Sequence, residues 1–458
     1  MSRPFQKVDY AATLKQTITI EDCLPPEHLA RFVVDAVGML DLAGFYERYQ
    51  VKGAPPIAPE VLLAILLYGY ATGVFSSRKL EQGTYESIPF RYVAGGLHPD
   101  HDTLANFRKS FLNEIKDVFV QVLELAHTQG ILRMGNISLD GSKIHADASK
   151  SKAVSYKRMR ELQERLEKEV DELLRLGEDG PSEGQSKPAD LNVAAELRYR
   201  RDRLANLAEA KRVLDERAKE RDEKEKAAYD EKVHEREEKV RKTGRRPGGR
   251  DPKPPTPGPR DKDQYNFTDP ESRIMKNSSD GGFDQSYNAQ AAVDQATLLI
   301  VGNHLSNHPS DTAEALPTID AIPTQLGLPK AVAMDCGYFT QNNLDGLASR
   351  AIDPYIATGR DAHRQDWKAS ATLAGPASQP PDDATPRVKM AYKLKSQAGQ
   401  AIYGLRKSTV EPVIGIIKEV LGFIQFSLRG IVAAAGEWTL VCIAFNLKRL
   451  HVLQLALR

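Results

Sequence analysis

The chain has 458 residues, 41% of them hydrophobic and 27% charged, with 63 basic against 62 acidic side chains. This length is enough for two or three hydrophobic cores, and the composition excludes both a disordered polyelectrolyte and a uniformly basic DNA-coating protein. The three cysteines, Cys23, Cys336 and Cys442, lie too far apart for a disulfide framework or a closely spaced cysteine zinc site, so a reducing cytoplasm fits best.

The pattern of residues 1–130 predicts an all-helical N-terminal domain. It shows no charged-then-apolar leader, and its longest apolar run, Val61 to Leu67, is far shorter than the roughly 18 residues that span a bilayer. We therefore expect a soluble cytoplasmic protein without membrane contacts. Further on, HDTLANFRKSF predicts a helix with Arg108 and Lys109 facing outward. A DNA-binding helix-turn-helix and an ordinary helical bundle both agree with this pattern.

The pattern changes to short strands at Asn136, where NISLDGSKIHADAS alternates apolar and polar residues. Residues 151–260 then interrupt the sheet with 29 basic and 25 acidic residues, a composition that no globular core has. Apolar residues recur there at steps of three or four, which predicts an antiparallel helical hairpin. The stretch from Arg241 to Arg260 is basic and rich in proline and glycine, which predicts a flexible, solvated tether that could also track phosphates.

Strand-like sequence resumes after this insertion. YNAQAAVDQATLLIVGNHL suggests a hairpin, and PKAVAMDCGYF predicts a short buried strand that ends at an acid. Strands before and after a looped-out helical insertion, with flanking helices, predict an α/β fold. The catalytic core would then comprise residues 131–150 and 261–458, with residues 151–260 as the insertion.

Three acids occupy positions suited to catalysis. Asp140 lies in the first strand, Asp335 at the carboxyl end of a later strand, and Glu411 near the start of a late helix. Carboxylates can hold two Mg²⁺ ions, which activate the attacking oxygen and stabilise the leaving oxygen of a phosphodiester. Each acid also has an ordinary explanation, because Asp140-Gly141 is a typical hairpin turn. The other two acids could simply end a strand and favour a helix dipole.

The sequence around Glu411, YGLRKSTVEPVIGIIK, surrounds this acid with cations. Helical spacing places Tyr403 and Lys407 on its face, and Lys418 follows seven residues later. Residues 387–458 contain eleven basic residues and three glutamates, a local footprint for a polyanion such as DNA. An amphipathic helix with chance charges is the alternative.

Other candidates are weaker. His304 and His308 have the spacing of a metal pair, but their polar context beside a proline predicts a loop. Trp438 is predicted to lie in the core, with stacking on an unpaired base as the alternative. The sequence has no glycine-rich phosphate loop, no GxSxG motif and no paired cysteine–histidine constellation.

With these residues in view, the chain resembles a bacterial insertion-sequence transposase of the DDE type over nearly its whole length. The segment from Ile57 to Glu114 is similar to the InsH-like N-terminal domain, and ISLDGSKIHADAS and AVAMDCGY are similar to the first two catalytic strands. The late stretch is similar to the family's Tyr-Arg-Glu-Lys pattern, although four residues rather than three separate Arg406 from Glu411. Lys407 has the expected interval, and either cation could fill the role.

The resemblance implies a ribonuclease H-like mixed sheet flanked by helices, with Asp140, Asp335 and Glu411 as catalytic and metal-binding residues. It further implies Mg²⁺-dependent cleavage at the element's terminal inverted repeats, with Mn²⁺ as a substitute, and attack of the freed 3′-hydroxyl on target DNA. A homodimer that pairs two DNA ends is expected, and the helical insertion is a candidate for dimer or DNA-end contacts. We assign contacts with double-stranded DNA to Tyr403, Arg406, Lys407, Lys418, Arg108 and Lys109.

Three other functions stay open at this point. An inactivated transposase could bind DNA and act as a repressor without cutting it. A general metal-dependent nuclease with the same core would cleave without regard to terminal repeats. A coiled-coil scaffold would explain the charged insertion and nothing else.

Overall fold

The computed structural model forms two compact units, one of Met1–Asp147 with Met275–Arg458 and the other of Ala148–Ile274. It describes residues 17, 19–49, 55–178, 192–245, 248–276, 281–359, 380–381 and 383–457.

Eight described helices precede the first strand. They are α1 (Ile20–Cys23), α2 (Leu29–Gly38), α3 (Ala43–Glu47), α4 (Pro59–Ala71), α5 (Ser77–Glu86), α6 (Ile88–Val93), α7 (His101–Ser110) and α8 (Leu112–Thr128). Helix α4 is buried on nearly all sides, as its dense apolar sequence predicts, and Pro59 occupies its first turn, where a missing N–H costs nothing. These helices belong to the same compact unit as the sheet.

The described residues contain eight strands. In chain order they are β1 (Asn136–His145), β2 (Ala153–Ser155), β3 (Gln264–Asn266), β4 (Arg273–Lys276), β5 (Phe283–Asp294), β6 (Ile300–Ser306), β7 (Ala331–Met334) and β8 (Asp353–Ile356). All except β2 and β3 form one mixed sheet, with β1 at its centre. Strand β1 pairs antiparallel with β5 and parallel with β7, and β7 pairs parallel with β8. The predicted hairpin is present, because β6 pairs antiparallel with β5. The hairpin-turn interpretation of Asp140-Gly141 is wrong, since β1 runs straight through both residues.

Two of the remaining helices of the first unit lie between β6 and β8, and the others follow β8. They are α11 (Ala315–Asp320), α12 (Gln341–Ser349), α13 (Pro386–Lys395), α14 (Gln397–Gly404), α15 (Arg406–Gly415) and α16 (Ile431–Leu457). By length and composition α16 could cross a membrane, and it is the only such helix among the described residues. It packs against α4, α8 and β6, which makes it a central helix of the core. The prediction that Trp438 lies in this core is confirmed, since its side chain is buried.

The second unit contains the predicted helical hairpin. Helices α9 (Tyr156–Glu178) and α10 (Val193–Thr243) run antiparallel, and Arg200 Nε lies 2.9 Å from Glu169 Oε2 across them. The short β2–β3 ribbon lies beside them. The segment that joins the helices lies outside the described residues. Their shared core consists of Met159, Leu162, Leu166, Leu207, Ala210, Leu214 and Tyr265.

The basic Pro/Gly segment that we expected to be irregular from Arg241 begins inside α10, which ends at Thr243; residues 248–260 are irregular as predicted, but they do not form a free tether. Residues 248–263 lie along the second half of α10 and are held there by ion pairs. Arg260 contacts Glu225 at 2.7 Å, and Arg236 contacts Asp251 at 3.0 Å. Acidic side chains of α10 therefore neutralise part of the basic charge of this segment, which from the sequence alone could have attracted phosphates.

Candidate active site

Asp140 lies in β1 and Asp335 at the carboxyl end of its parallel neighbour β7, so that the two aspartates lie side by side. In the parallel pair of β1 and β7, Leu139 is opposite Met334, so each aspartate comes one residue after a paired position. Adjacent strands lie about 4.8 Å apart, so the two carboxylates are close enough to interact electrostatically. Asp335 also caps the short turn Cys336–Tyr338, because its Oδ1 accepts a hydrogen bond from the Gly337 N–H at 2.8 Å.

The negatively charged form of Asp140 is energetically unfavourable in this position. Burial raises the pKa of Asp140 to about 6, the Arg406 guanidinium opposes this rise, and the neighbouring carboxylates of Asp335 and Asp311 add to it. A carboxyl group that is destabilised as an anion by burial and by like charges is typical of functional sites.

Arg406 connects two of the three candidate acids. Its Nη1 donates to Asp140 Oδ2 at 3.0 Å, and its Nη2 donates to Glu411 Oε1 at 2.8 Å. Arg406 is the first residue of α15, and Thr409, one turn later, fixes the helix to β1 through Ser138 Oγ at 2.7 Å. Arg406 rather than Lys407 therefore occupies the position between the acids.

The other predicted DNA contacts around Glu411 take different positions. Tyr403 is the penultimate residue of the preceding helix, α14. Burial lowers the pKa of Arg406, but Asp140 and then Tyr403 raise it, and the net shift is upward. Lys418 lies within reach of β1, with its Nζ 3.2 Å from Ser142 Oγ. Lys407 is exposed on α15.

Arg108 does not face outward, contrary to our expectation. Its side chain is 6% exposed, and its Nη1 donates to the Tyr70 hydroxyl at 2.7 Å and lies 3.5 Å from Glu437 Oε1. Helix α7 packs with its Arg108 side toward α4 and α16 because a buried glutamate there requires a cation. Lys109, the next residue, is exposed.

Sequence reasoning missed three residues beside the two aspartates. Asp311 follows β6, Gln290 lies in β5, and Tyr338 ends the turn that Asp335 caps. Burial raises the pKa of Tyr338, and the charges of Asp311, Asp140 and Asp335 raise it further. Only the strand pairing brings these residues together, so no local motif could have identified them.

A divalent cation would suit the two aspartates. Among the described residues, no group of three or more His, Cys, Asp or Glu side chains lies close enough together to hold a metal ion. The donor chemistry nevertheless fits a hard cation, because carboxylate oxygens are its preferred ligands and a cation would relieve the repulsion that raises the pKa of Asp140. Asp140 and Asp335 could bind such an ion directly, and Arg406 holds one oxygen each of Asp140 and Glu411.

His304 and His308 share a buried glutamate. His308 Nδ1 lies 2.9 Å from Glu314 Oε1, and His304 Nε2 lies 3.3 Å from Glu314 Oε2. Burial alone would raise the pKa of Glu314, but hydrogen bonds from His304, His308 and Ser306 lower it to about 2. These contacts favour a structural ion cluster over a metal pair.

Two protein-family models match the chain, and both describe transposase domains. A transposase domain (DUF772) matches residues 18–110, and a transposase DDE domain matches residues 255–447. Together they cover more than half of the chain. Asp335 and Glu411 lie within the second match, whereas Asp140 lies between the two. Comparisons with curated proteins and with solved structures give no match.

The chain therefore belongs to the DDE transposases. The resemblance to an insertion-sequence transposase that the motifs indicated is confirmed, in the predicted order of an N-terminal transposase domain and a later DDE domain.

Proposed function

We propose that this transposase cuts DNA at the terminal inverted repeats of its own insertion sequence and joins the freed ends to target DNA. The proposal rests above all on the position of Asp140, inside β1, beside Asp335, which directly follows the neighbouring parallel strand β7. The helix that carries Arg406 and Glu411 packs on the same strand, β1. A mixed sheet with β1 between an antiparallel and a parallel neighbour supports a ribonuclease H-like core.

In this proposal Asp140, Asp335 and Glu411 would hold Mg²⁺, or Mn²⁺ in its place. The metal would supply activation of the attacking oxygen and stabilisation of the leaving oxygen. Arg406 orients the carboxylates of Asp140 and Glu411 through one hydrogen bond to each. Alignment and electrostatic stabilisation provide most of the rate, since no covalent protein intermediate is required.

Double-stranded DNA would contact the cationic and polar residues near Asp140 and Asp335. Lys418 is fixed beside β1, and Tyr403 and Lys407 belong to the same stretch of chain. Lys109 is exposed and is free to contact DNA. Arg108 does not contact DNA, because its guanidinium is buried against Tyr70 and Glu437. The working form would be a cytoplasmic, nucleoid-associated homodimer that pairs two DNA ends.

Strand cleavage of a plasmid that carries the gene's own flanking DNA tests this function. With Mg²⁺ or Mn²⁺ we expect nicks at the repeat ends, reduced by more than about 100-fold in Asp335→Asn, because the variant loses a charged ligand. Asp345→Asn is the matched control, since it makes the same change at an exposed position of α12 in the same unit.

Two outcomes would favour the other candidate functions. Binding to the repeat ends without any cleavage would indicate an inactive, DNA-binding relic. Cleavage throughout the plasmid that survives Asp335→Asn would indicate a general nuclease with a different active site.

A further inference from the structure

A fully buried glutamine lies in β5, the antiparallel neighbour of the strand that carries Asp140. Gln290, in β5, is paired with Gly141 of β1, the residue that follows Asp140. Its side chain has no exposed surface. Burial of an amide is costly unless its donors and acceptor are all bonded, so the partners of this side chain determine where it lies.

The side-chain carbonyl of Gln290 is hydrogen-bonded to the turn that Asp335 caps. Its Oε1 accepts a hydrogen bond from the hydroxyl of Tyr338, which is itself completely buried. Tyr338 is the last residue of the short turn that Asp335 caps through the Gly337 N–H. One side-chain hydrogen bond therefore joins β5 to the turn of the second aspartate.

The amino end of Gln290 is bonded to Asp311. Gln290 Nε2 donates to Asp311 Oδ1 at 3.0 Å and to Asn288 Oδ1 at 3.0 Å. Asp311 Oδ1 also accepts from Asn288 Nδ2 at 2.7 Å and from Lys143 Nζ at 3.1 Å. Three donors thus fix one oxygen of Asp311, and Lys143 returns the network to β1.

Gly141 leaves the room that this arrangement needs. A β-carbon at position 141 would lie 2.1 Å from Gln290 Nε2 and 2.9 Å from Asp311 Oδ1. Any residue other than glycine at position 141 would displace the side-chain amide of Gln290. The glycine after the first aspartate is therefore explained by the glutamine and not by a turn.

We propose that Gln290 is a positioning residue that sets the separation of the Asp140 and Asp335 carboxylates, with Asp311 as its anchor and Tyr338 as its link to the second strand. This inference rests on the proposed function, in which the two aspartates share a metal ion. Gln290 touches neither aspartate through a side-chain hydrogen bond and acts through the backbone of β1 and the Cys336–Tyr338 turn.

The matched pair Gln290→Leu and Tyr338→Phe removes the two ends of the same hydrogen bond. We expect Gln290→Leu to weaken binding of Mn²⁺ alone, measured on the full chain by the electron paramagnetic resonance signal of free Mn²⁺, by roughly 10- to 100-fold. Tyr338→Phe should weaken it less. The double variant should bind about as well as Gln290→Leu, because the two changes remove one shared interaction.

Asn446→Leu is the control for loss of a buried amide. Asn446 bonds both backbone groups of Ile300 in β6 and is fully buried, so its loss should lower stability. Its side chain bonds to β6 rather than to the strands of the aspartates, so Mn²⁺ affinity should stay within twofold of wild type. The concentration of Mn²⁺ that half-saturates DNA-end cleavage should follow the same order of variants.

Several results would overturn the positioning role. These are wild-type Mn²⁺ affinity in both Gln290→Leu and Tyr338→Phe, or an equal loss in Asn446→Leu. If Gln290→Leu does not fold, Tyr338→Phe decides alone. A wild type that cuts its DNA ends while both variants keep normal metal dependence refutes only this inference, whereas a wild type that neither binds Mn²⁺ nor cuts refutes it together with the proposed function.

Discussion

At the scale of single residues, Arg406 shows where interval counting fails. The sequence left Arg406 and Lys407 as equal candidates, because only Lys407 has the expected distance to Glu411. That count assumes one continuous helix, yet α14 ends at Gly404 and α15 begins at Arg406. The break turns Arg406 toward Asp140 and leaves Lys407 exposed. Side-chain direction at a helix junction depends on packing that no local spacing specifies.

Glu314 should make the stability of the folded chain depend on pH in the acid range. Its pKa is lowered from 4.5 to about 2 in the folded state, so its contribution is complete above pH 4.5 and is lost as the pH falls from 4.5 toward 2. The full contribution corresponds to about 3 kcal/mol. Urea unfolding of wild type and Glu314→Gln should differ most at pH 7, and the difference should shrink below pH 4.5.

A constant difference between these two proteins at every pH would show that Glu314 contributes packing rather than charge. His308→Gln provides a second check, because it removes one of the two histidine partners while leaving the buried carboxylate in place. We expect that variant to lose part of the same pH-dependent stability.

At the scale of elements, the charged insertion can be removed at a defined place. Tyr156 N donates to Asp263 O at 2.8 Å, so the chain enters and leaves the hairpin at neighbouring points, next to the β2–β3 ribbon. Replacing residues 157–262 with a short Gly/Ser linker should keep binding to a single DNA end but reduce pairing of two ends, measured by gel shift. The Asp335→Asn background prevents cleavage during the assay.

Equal pairing of DNA ends by the shortened chain would show that the hairpin has no part in dimer or DNA-end contacts. Because α9 and α10 have their own hydrophobic core, loss of helical signal in circular dichroism should match the residues removed. A larger loss would mean that the rest of the chain had unfolded.

Elements with a clear period or composition could be predicted from the sequence, and positions fixed by distant partners could not. The apolar stripe around Met159 and Leu162 specified the hairpin, and the short apolar run before Asp335 specified β7. The local sequence could not distinguish two roles for Asp140-Gly141. The same dipeptide suits a hairpin turn and a strand in which the glycine makes room for a buried glutamine of the neighbouring strand. Gln290 looked like one polar residue in a strand, and its partners Asp311 and Tyr338 are 21 and 48 residues away along the chain.

At the scale of the whole molecule, a buried ion pair joins the two matched transposase domains. Arg108 lies in the first match and Glu437 in the second. The Glu437 side chain is fully buried, and its Oε2 also accepts from the backbone N–H groups of Ser427 and Leu428. The N-terminal helices are therefore part of the interior of the first unit, and their removal would expose a buried charge.

Arg108→Met should lower the free energy of unfolding by about 3 kcal/mol or more, because Glu437 keeps its charge without its cation. Arg108→Met combined with Glu437→Gln should be less harmful than the single change. Lys109→Met, at the exposed neighbouring position, is the matched control and should stay within about 0.5 kcal/mol of wild type. Denaturant unfolding of the four proteins measures these differences, and equal effects of the two single Met variants would contradict the buried-pair argument.

Because the insertion separates β1 from β5 in the sequence, it also determines how long β1 waits for its partner strand during synthesis. Strand β1 ends at His145, and its antiparallel partner β5 begins at Phe283. A ribosome that adds about 5–20 residues per second needs roughly 7–28 s to make the intervening chain. During that time β1 has neither sheet neighbour, while the helical hairpin can already fold on its own core. The nascent chain consequently carries the N-terminal helices and the hairpin before Asp140 can meet Arg406, because that contact forms only when the helix that begins at Arg406 has left the ribosome.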